Sequence, residues 1–320
     1  MKIPSILQEE TFKENMAAVM EQLDACHKEG TFSGFDGQTL YYECYRRPES
    51  RGAVVIVHGL SEFTKKYQEF AWYLLEQGYD VFLYDQRSHG RSCRLTGRND
   101  LIHADRFTDY YKDLDRFVCD VVRKATDLPL YLYAHSMGGA VAAQYLAHHP
   151  DVFQKAVLSA PMILPLTGGV PLPIARVGLT ACWLFGMGKK KFWLADEFDP
   201  NYPFERSQDQ SRARFERNME IRLANPCYCT TPQTVRWVQQ SITLRRKLIA
   251  KRFTKKLQTP VLMICGENDR VVSMTAQAEF AESCPVCRRI VVENATHSML
   301  CGTPEIIGIH VRHVLEHFAG

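Results

Sequence analysis

A serine with small neighbours is the first residue of this sequence that could do chemistry. Ser136 lies in the stretch Ala134-His135-Ser136-Met137-Gly138, between an apolar run typical of a strand and a run typical of a helix. A sharp strand-to-helix turn can expose a serine hydroxyl as a nucleophile, and only hydrogen or methyl fits two positions before and after it. The competing interpretation is a plain helix N-cap, which serine often provides. This stretch alone leaves both interpretations open.

Two residues further along the chain could complete a catalytic serine. The nucleophile needs a base, and a histidine base needs an acid that holds its tautomer. On strand-to-helix turns of this kind the chain order is serine, acid, histidine. Asp269 closes the apolar run VLMICGEND, and His297 closes the run RRIVVENATH. Asp269 as a helix cap and His297 as a loop residue are the competing interpretations. The order and the shared strand-end placement favour a catalytic triad with Ser136.

Backbone N–H groups would have to stabilise the negative charge that forms when a serine attacks an ester. Met137 follows the serine at a helix N-terminus, where the helix dipole favours an anion. The second donor is expected in the loop after the first core parallel strand, AVVIVHG, which places it at Leu60. His58 in the same loop is expected to order the turn through its side chain. This chemistry requires no metal and no cofactor.

Six short apolar runs supply the strands that must position these groups. They are AVVIVHG (53–59), YDVFLYDQRSHG (79–90), LPLYLYAHS (128–136), KAVLSAP (155–161), TPVLMICGEND (259–269) and RRIVVENATH (288–297). Nearly continuous apolar strands that alternate with helices predict an α/β fold, with a mostly parallel central sheet and helices on both faces. Chemistry in such sheets gathers at the carboxyl ends of the strands, where the serine, aspartate and histidine fall.

One domain over residues 1–320 is predicted, with two additions to the sheet. Residues 1–33 are predicted to be an N-terminal helical extension. Its apolar residues recur at helical spacing: Phe12, Met16, Val19 and Leu23. Residues 162–258 begin with proline and glycine punctuation and contain no convincing strand. We therefore predict that they form a helical cap insertion over the strand ends.

Composition indicates an ordinary globular protein and says little about partners. Of the 320 residues, 46% are hydrophobic and 23% are charged, and the net charge of +3 gives no reason to expect a nucleic-acid partner. The eleven cysteines are odd in number and scattered, which favours reduced thiols in the cytoplasm. The longest apolar run, 177–188, is shorter than the ~20 residues that cross a bilayer, and no secretory signal is evident. A cytoplasmic location is therefore expected.

Several motifs make the sequence similar to a known family. They are VHGLSEFTKKY (57–67), YDQRSHGRS (84–92), AHSMGGAVA (134–142), GENDRVV (266–272) and ATHSML (295–300). With them the chain resembles the α/β-hydrolase superfamily, and within it the lysophospholipase/monoacylglycerol lipase family of serine hydrolases. RFERNMEIRLANP and TPQTVRW are similar to the cap of bacterial lysophospholipase-like members. The resemblance covers the chain after residue 35 and implies the α/β-hydrolase fold with a helical cap.

The resemblance also implies roles for individual residues. It implies Ser136, Asp269 and His297 as the triad, with the backbone N–H groups of Leu60 and Met137 as the oxyanion hole. There are two departures from the pattern of the family. Alanine stands at position 134 in place of the first elbow glycine, and serine stands at position 88 in place of a glycine in YDQRSHGRS. Neither departure touches a reacting group, although the second could change the course of its loop.

The activity that the resemblance implies is hydrolysis of carboxylic esters of single-chain lipids through an acyl-enzyme. The enzyme would be a lysophospholipase or a monoacylglycerol lipase. A small-ester carboxylesterase or thioesterase, or an acyltransferase, is the alternative among enzymes. A non-catalytic binding protein on the same fold is the alternative of another class. An intact set of serine, aspartate and histidine argues against that last alternative.

Charge in the predicted cap bears on the substrate. The segment from Glu205 to Lys256 contains thirteen lysines and arginines but only four acidic residues, which gives it a net charge of +9. This excess favours lysophospholipid over monoacylglycerol and disfavours a site for a cationic amine. It also suggests peripheral contact with an anionic membrane surface, which Trp183, Leu184 and Phe185 could touch. A solvated helix face is the competing interpretation.

Overall fold

Eight strands form one sheet at the centre of the computed structural model, which describes residues 4–320. The strands are β1 (His27–Ser33), β2 (Thr39–Tyr45), β3 (Gly52–Val57), β4 (Tyr79–Tyr84), β5 (Leu130–His135), β6 (Lys155–Ser159), β7 (Val261–Gly266) and β8 (Cys287–Val292). Their order across the sheet is β1-β2-β4-β3-β5-β6-β7-β8. β1 and β2 pair antiparallel, β2 pairs antiparallel with β4, and the remaining pairs are parallel. The predicted, mostly parallel sheet is confirmed.

Helices cover both faces of the sheet. They are α1 (Phe12–Asp24), α2 (Gln68–Glu76), α3 (Thr108–Phe117), α4 (Arg123–Ala125), α5 (Met137–His148), α6 (Leu172–Cys182), α7 (Arg212–Ala224), α8 (Val235–Leu248), α9 (Lys251–Thr254), α10 (Met274–Ser283) and α11 (Pro304–Ala319). Short 3₁₀ turns lie at Thr64–Tyr67, Phe204–Arg206, Pro226–Tyr228 and Met299–Cys301, and π-helical turns at Val118–Val122 and Trp183–Met187. Every residue of β3, β4 and β7 is buried, as expected for strands covered on both faces.

Each face of the sheet has its own apolar core. Helices α1, α2 and α11 pack on one face, and α3, α5, α8 and α10 contribute to the core of the other. The four N-terminal apolar residues predicted at helical spacing are all buried on α1. This helix ends at Asp24 because the chain turns into β1 at His27, so part of the predicted extension 1–33 is an edge strand.

The segment 162–258 follows β6 and precedes β7, and it carries α6, α7, α8 and α9 but no strand of the sheet. Helix α7 is fixed at its start to the N-terminal part of the chain. The Arg214 guanidinium donates to a Glu69 carboxylate oxygen at 2.6 Å and to the Leu7 carbonyl at 2.8 Å. The Ala213 N–H donates to Glu9 Oε1 at 2.8 Å. These contacts set the direction in which the rest of α7 points.

Two further observations concern the chain as a whole. None of the helices in residues 4–320 combines the length and apolar character that a membrane crossing requires.

All eleven cysteines are free thiols, and four of them are buried: Cys44, Cys265, Cys284 and Cys301. Burial raises the pKa of these four thiols, which makes them poor nucleophiles.

Candidate active site

Ser136 lies at the sharp turn between β5 and α5. Its backbone has φ 51° and ψ −116°, a conformation that L-residues rarely adopt. The turn is held because the Ser136 N–H donates to the Ser159 carbonyl at 3.0 Å and the Ser136 carbonyl accepts from the Met162 N–H at 2.8 Å. A Cβ on Gly138 would lie 2.2 Å from the Val57 carbonyl oxygen, so only glycine fits there. The small residue that the sequence pattern demanded is thus explained by contact with β3.

The side chains of the three predicted triad residues lie within hydrogen-bond distance of one another. His297 Nε2 is 2.9 Å from Ser136 Oγ, and His297 Nδ1 is 2.8 Å from Asp269 Oδ2. The other carboxylate oxygen of Asp269 accepts from the backbone N–H groups of Val271 at 2.8 Å and Val272 at 3.1 Å. The chain of contacts therefore runs from a fixed carboxylate through the imidazole to the serine hydroxyl.

The charge states of Asp269 and His297 suit proton transfer from the serine hydroxyl. Burial alone would raise the pKa of Asp269, but hydrogen bonds from His297 and the two valine N–H groups outweigh it and hold the pKa below its usual value. Burial lowers the pKa of His297, although the nearby carboxylate opposes the shift. The imidazole is therefore neutral at neutral pH and can accept a proton from the hydroxyl.

Two backbone N–H groups next to the serine have no acceptor within residues 4–320. They belong to Leu60, in the loop after β3, and Met137, the first residue of α5. Buried backbone N–H groups are almost always hydrogen-bonded, so a pair of unused donors at one place suits a developing oxyanion. Both are the donors that the sequence predicted.

The loop that carries Leu60 is ordered by the side chain of His58. Its Nδ1 donates to the Gly59 carbonyl at 2.7 Å, and its Nε2 accepts from the Gln86 N–H at 2.9 Å. Burial lowers the pKa of His58 to about 4, so the ring stays neutral in this role. The predicted ordering of this turn is confirmed.

Glu62 is a residue of this site that the sequence analysis missed. Its carboxylate is buried and accepts from the Gly59 N–H at 2.6 Å, the Tyr67 hydroxyl at 2.6 Å, Lys66 Nζ at 2.7 Å and His135 Nδ1 at 3.1 Å. Burial would raise the pKa of Glu62, but the charge of Lys66 and the contact with His135 keep it well below its usual value. A charged carboxylate thus lies under the loop that carries Leu60.

His135 extends this network to the other side of the site. Its Nδ1 faces Glu62, and its Nε2 lies 3.2 Å from the His297 carbonyl. Because Ser136 follows His135 directly, one buried carboxylate connects the oxyanion loop, the serine turn and the histidine loop. The sequence offered two signals, the position of Glu62 four residues before Lys66 and its place in the motif VHGLSEFTKKY, but neither gives the glutamate a role.

Both departures from the family pattern fit their surroundings. Ala134 is fully buried in β5, where its methyl group is accommodated. Ser88 has φ 63°, in the region that favours glycine, and its Oγ donates to the His103 carbonyl at 3.0 Å. The hydroxyl gives this loop a hydrogen bond that glycine could not make.

A cavity of about 620 Å³ lies beside the loop after β3, and none of the three triad residues lines it. It starts at Ser61, next to Leu60, and continues between the 3₁₀ turn after β3 and segment 162–258. Aromatic side chains form part of its wall: Phe63, Phe198 and Phe215. Its charged lining consists of three cations and four acids: Lys66, Arg206, Arg222, Asp196, Glu197, Asp199 and Asp209. The cavity is large enough for a small polar group and part of an acyl chain.

One group of residues away from this site has the composition of a metal site. His27, Glu29 and Glu43, on β1 and β2, offer ligand atoms within 4.8 Å of one another. Their carboxylates already contact protein hydroxyls: the Tyr41 hydroxyl lies within hydrogen-bond distance of both glutamates, and the Tyr45 hydroxyl donates to Glu43 at 2.8 Å. These oxygens are satisfied without an ion, so the group needs none to be stable.

Comparisons with known proteins identify the family of this chain. The protein family described as "Serine aminopeptidase, S33" (Hydrolase_4) matches residues 48–303. The chain belongs to this family. Lysophospholipase L2 of Escherichia coli (strain K12) is 29% identical over 306 residues, which cover 91% of this chain and 87% of that protein. Monoglyceride lipase of Rattus norvegicus is 24% identical over 274 residues, covering 85% and 84%. The predicted resemblance is confirmed.

Solved structures show the same fold. A soluble variant of monoglyceride lipase from Saccharomyces cerevisiae, in complex with a substrate analog, has a TM-score of 0.73 at 19% identity and covers 91% of this chain and 94% of its own. A thermostable carboxyl esterase from Bacillus coagulans, in complex with glycerol, also has a TM-score of 0.73, at 17% identity, with 92% and 98% covered. The predicted α/β-hydrolase fold is therefore confirmed.

Proposed function

We propose that the protein hydrolyses carboxylic esters of single-chain lipids, with Ser136 as the nucleophile. The observation that carries the proposal is the hydrogen-bonded series from Asp269 through His297 to the Ser136 hydroxyl. Two unused backbone donors beside that hydroxyl, at Leu60 and Met137, complete the requirements for acyl transfer. The lipid part of the proposal is supported by the relatives named lysophospholipase and monoglyceride lipase.

The reaction follows from the geometry in two steps. His297 Nε2 takes the Ser136 proton as Oγ attacks the ester carbonyl, and the N–H groups of Leu60 and Met137 stabilise the oxyanion. The ester bond then breaks, and the proton moves from His297 to the departing alcohol. In the second step His297 takes a proton from water, which attacks the acyl-enzyme. The acyl–Oγ bond then breaks, His297 returns the proton to Ser136, and the fatty acid is released. Asp269 stabilises the imidazolium in both steps.

Lysophospholipid is the preferred substrate in this proposal, but the charge count that suggested it needs correction. Of the thirteen basic residues between Glu205 and Lys256, two line the cavity, Arg206 and Arg222. Two of the others form ion pairs with acidic residues that do not line the cavity. Arg214 pairs with Glu69, and Arg245 with Glu279. The cavity is mixed in charge rather than basic, so an ammonium group on the substrate is compatible with it.

We further propose that segment 162–258 contacts a membrane surface. Several large apolar side chains of this segment are exposed: Leu166, Ile174, Val177, Leu184, Phe185, Trp193 and Leu194. Exposed apolar side chains that group on one surface commonly mark a site of contact with a protein or a membrane. Lys189 and Lys190 are exposed next to them and would face anionic head groups.

A substrate panel tests the function, with Ser136→Ala as the blank. The panel contains a lysophospholipid and a monoacylglycerol with the same acyl chain, a short soluble ester and an aminoacyl anilide. We expect turnover of the two lipids and labelling of Ser136 by a fluorophosphonate probe, both lost in the variant. Activity restricted to the anilide would support an aminopeptidase instead, and labelled protein without any turnover would support a binding protein.

Two of the enzyme alternatives are separated by the same assay. A small-ester carboxylesterase or thioesterase would prefer the short ester or a thioester over both lipids. An acyltransferase would pass the acyl group to an added alcohol or lipid rather than to water. Product analysis by mass spectrometry distinguishes released fatty acid from a new ester, and fatty acid as the main product is expected.

A further inference from the structure

Arg222 near the end of α7 is a cation without an anion. Its guanidinium donates to the Ser61 carbonyl and lies 5.6 Å from the Phe63 ring and 5.7 Å from the Phe198 ring. The side chain lines the cavity described above. No carboxylate in residues 4–320 comes within 4.0 Å of it. Ser61 follows Leu60, so this cation lies beside the proposed oxyanion loop.

The two arginines that are buried within residues 4–320 have acidic partners, whereas Arg222, like several other half-buried arginines, has none. Arg87 pairs with Asp113 at 2.6 Å, and Arg214 pairs with Glu69 at 2.6 Å. Burial lowers the pKa of Arg222, but an arginine stays charged in proteins. A partly desolvated charge without an ion pair is unfavourable. A bound anion would supply the partner that the protein lacks.

No acid that lines the cavity forms an ion pair with Arg222, and one of the other two cations there is already paired. Lys66 is committed to Glu62 at 2.7 Å. Asp209 is half-buried, burial raises its pKa, and its carboxylate lies more than 4.0 Å from the Arg222 guanidinium. Arg206 is exposed and has no ion pair within the described residues. Arg222 is therefore the cation most available to a ligand beside the oxyanion loop.

Exposed carboxylates occupy another part of the same cavity. Glu197 pairs with Lys191 and with Arg98, both at 2.8 Å. Asp196 and Asp199 are exposed and have no cationic partner within residues 4–320. One cavity thus offers a cation without an anion and two carboxylates without a cation. A zwitterion that carries an inner anion and an outer cation has complementary charges.

We propose that this cavity binds the headgroup of a lysophospholipid, with the phosphate at Arg222 and a terminal ammonium at Asp196 and Asp199. The inference rests on the proposed function, since the headgroup is part of the alcohol that leaves the acyl carbon when Ser136 is acylated. Phosphate and guanidinium form charge-assisted, often bidentate hydrogen bonds, whereas a monoacylglycerol offers only hydroxyl groups. Arg222 therefore determines the preference for lysophospholipid over monoacylglycerol.

The test compares kcat/KM for lysophosphatidylethanolamine and for a monoacylglycerol with the same acyl chain. Arg222→Gln is expected to lower the ratio of the two values about tenfold or more, mainly through KM of the phospholipid. Loss of the Ser61 contact affects both lipids and cancels in the ratio. Arg222→Lys keeps the charge and should retain part of the preference. Arg212→Gln removes an exposed cation from the same helix and should leave the ratio within about twofold of wild type.

A second comparison tests the ammonium. The double variant Asp196→Asn, Asp199→Asn should lower kcat/KM for lysophosphatidylethanolamine about threefold or more relative to lysophosphatidylglycerol, which has no ammonium. An unchanged ratio in this variant would overturn the ammonium position, and an unchanged ratio in Arg222→Gln would overturn the phosphate position. If wild type hydrolyses neither lipid, the proposed function itself is wrong. If it hydrolyses both and the ratios do not move, only the headgroup site is wrong.

Discussion

The serine turn and segment 162–258 are built in opposite ways. Around Ser136, which is 5% exposed, backbone contacts leave no room for a larger side chain at Gly138, and the serine hydroxyl is hydrogen-bonded to His297. In segment 162–258, Phe185 is 84% exposed and Arg222 lacks an anionic partner. The difference indicates that the geometry of the reaction is fixed by the sheet, whereas the groups left without partners are available to a substrate or a surface.

The largest effect is expected at the serine turn. Asp269→Asn should lower kcat about 10⁴-fold, because an amide cannot stabilise the imidazolium and favours the wrong tautomer of His297. The fold should be retained, since asparagine still accepts from the N–H groups of Val271 and Val272. Initial rates on a short soluble ester and a thermal melt measure both quantities. A loss below tenfold would remove Asp269 from the proposed triad.

A pair of glycine variants compares the two regions directly. Gly138→Ala places a methyl 2.2 Å from the Val57 carbonyl oxygen, so we expect at least about a hundredfold loss of kcat and a lower melting temperature. Gly178→Ala on α6 meets nothing within 4 Å and should leave kcat unchanged and stabilise the helix by about 0.5–1 kcal/mol. Equal effects of the two variants would show that the serine turn is no less tolerant of an added methyl group than segment 162–258.

Glu62→Gln tests whether the buried carboxylate positions the site. Four donors converge on this group, and loss of its charge leaves Lys66 without an ion pair. A fall in kcat of about 10–100-fold is expected, equivalent to roughly 1–3 kcal/mol. Glu69→Gln is the matched control, because it breaks the ion pair with Arg214 away from the serine. The control should lower stability with little change in kcat, and the same loss in both variants would argue against a positioning role.

The exposed apolar side chains of segment 162–258 can be tested on vesicles. Phe185→Ser should lower hydrolysis of lipid in anionic vesicles about tenfold relative to a short soluble ester, because burying such a ring contributes roughly 1.5–3 kcal/mol. Phe35→Ser, at an aromatic residue outside this segment that is 37% exposed, is the control. Co-sedimentation measures binding separately. Unaltered vesicle activity would remove Phe185 from the proposed membrane surface.

The smallest effect concerns pH. Catalysis needs neutral His297, and burial holds its pKa below the usual 6.5, so kcat/KM should rise with pH to a plateau and have its midpoint below 6.5. The negative charge of Glu62 opposes this shift. Its removal in Glu62→Gln should therefore move the midpoint further down, by less than about one pH unit. A pH–rate profile on a soluble ester measures both, and a midpoint above 7 would contradict the assignment.

The sequence predicted the sheet because buried parallel strands are short apolar runs that can be recognised locally. It also predicted which three side chains would meet. Each of Ser136, Asp269 and His297 follows a strand or closes the loop after one, and in this topology those ends converge at one edge. The bounds of α1 were less accurate, because pairing of β1 with β2 decides where the helix stops.

The tertiary structure alone decided which groups lack a partner. Glu62 connects the loop after β3 to the serine turn, because it accepts hydrogen bonds from Gly59 and from His135, which lies 73 residues away in the sequence. The count of basic residues between Glu205 and Lys256 predicted a basic cap, yet the cavity is mixed in charge. A count along the chain cannot tell which face a helix presents. Arg222 has no ion pair because of how the helices pack. Packing decides which cations lie next to an acidic side chain and which line a cavity without one.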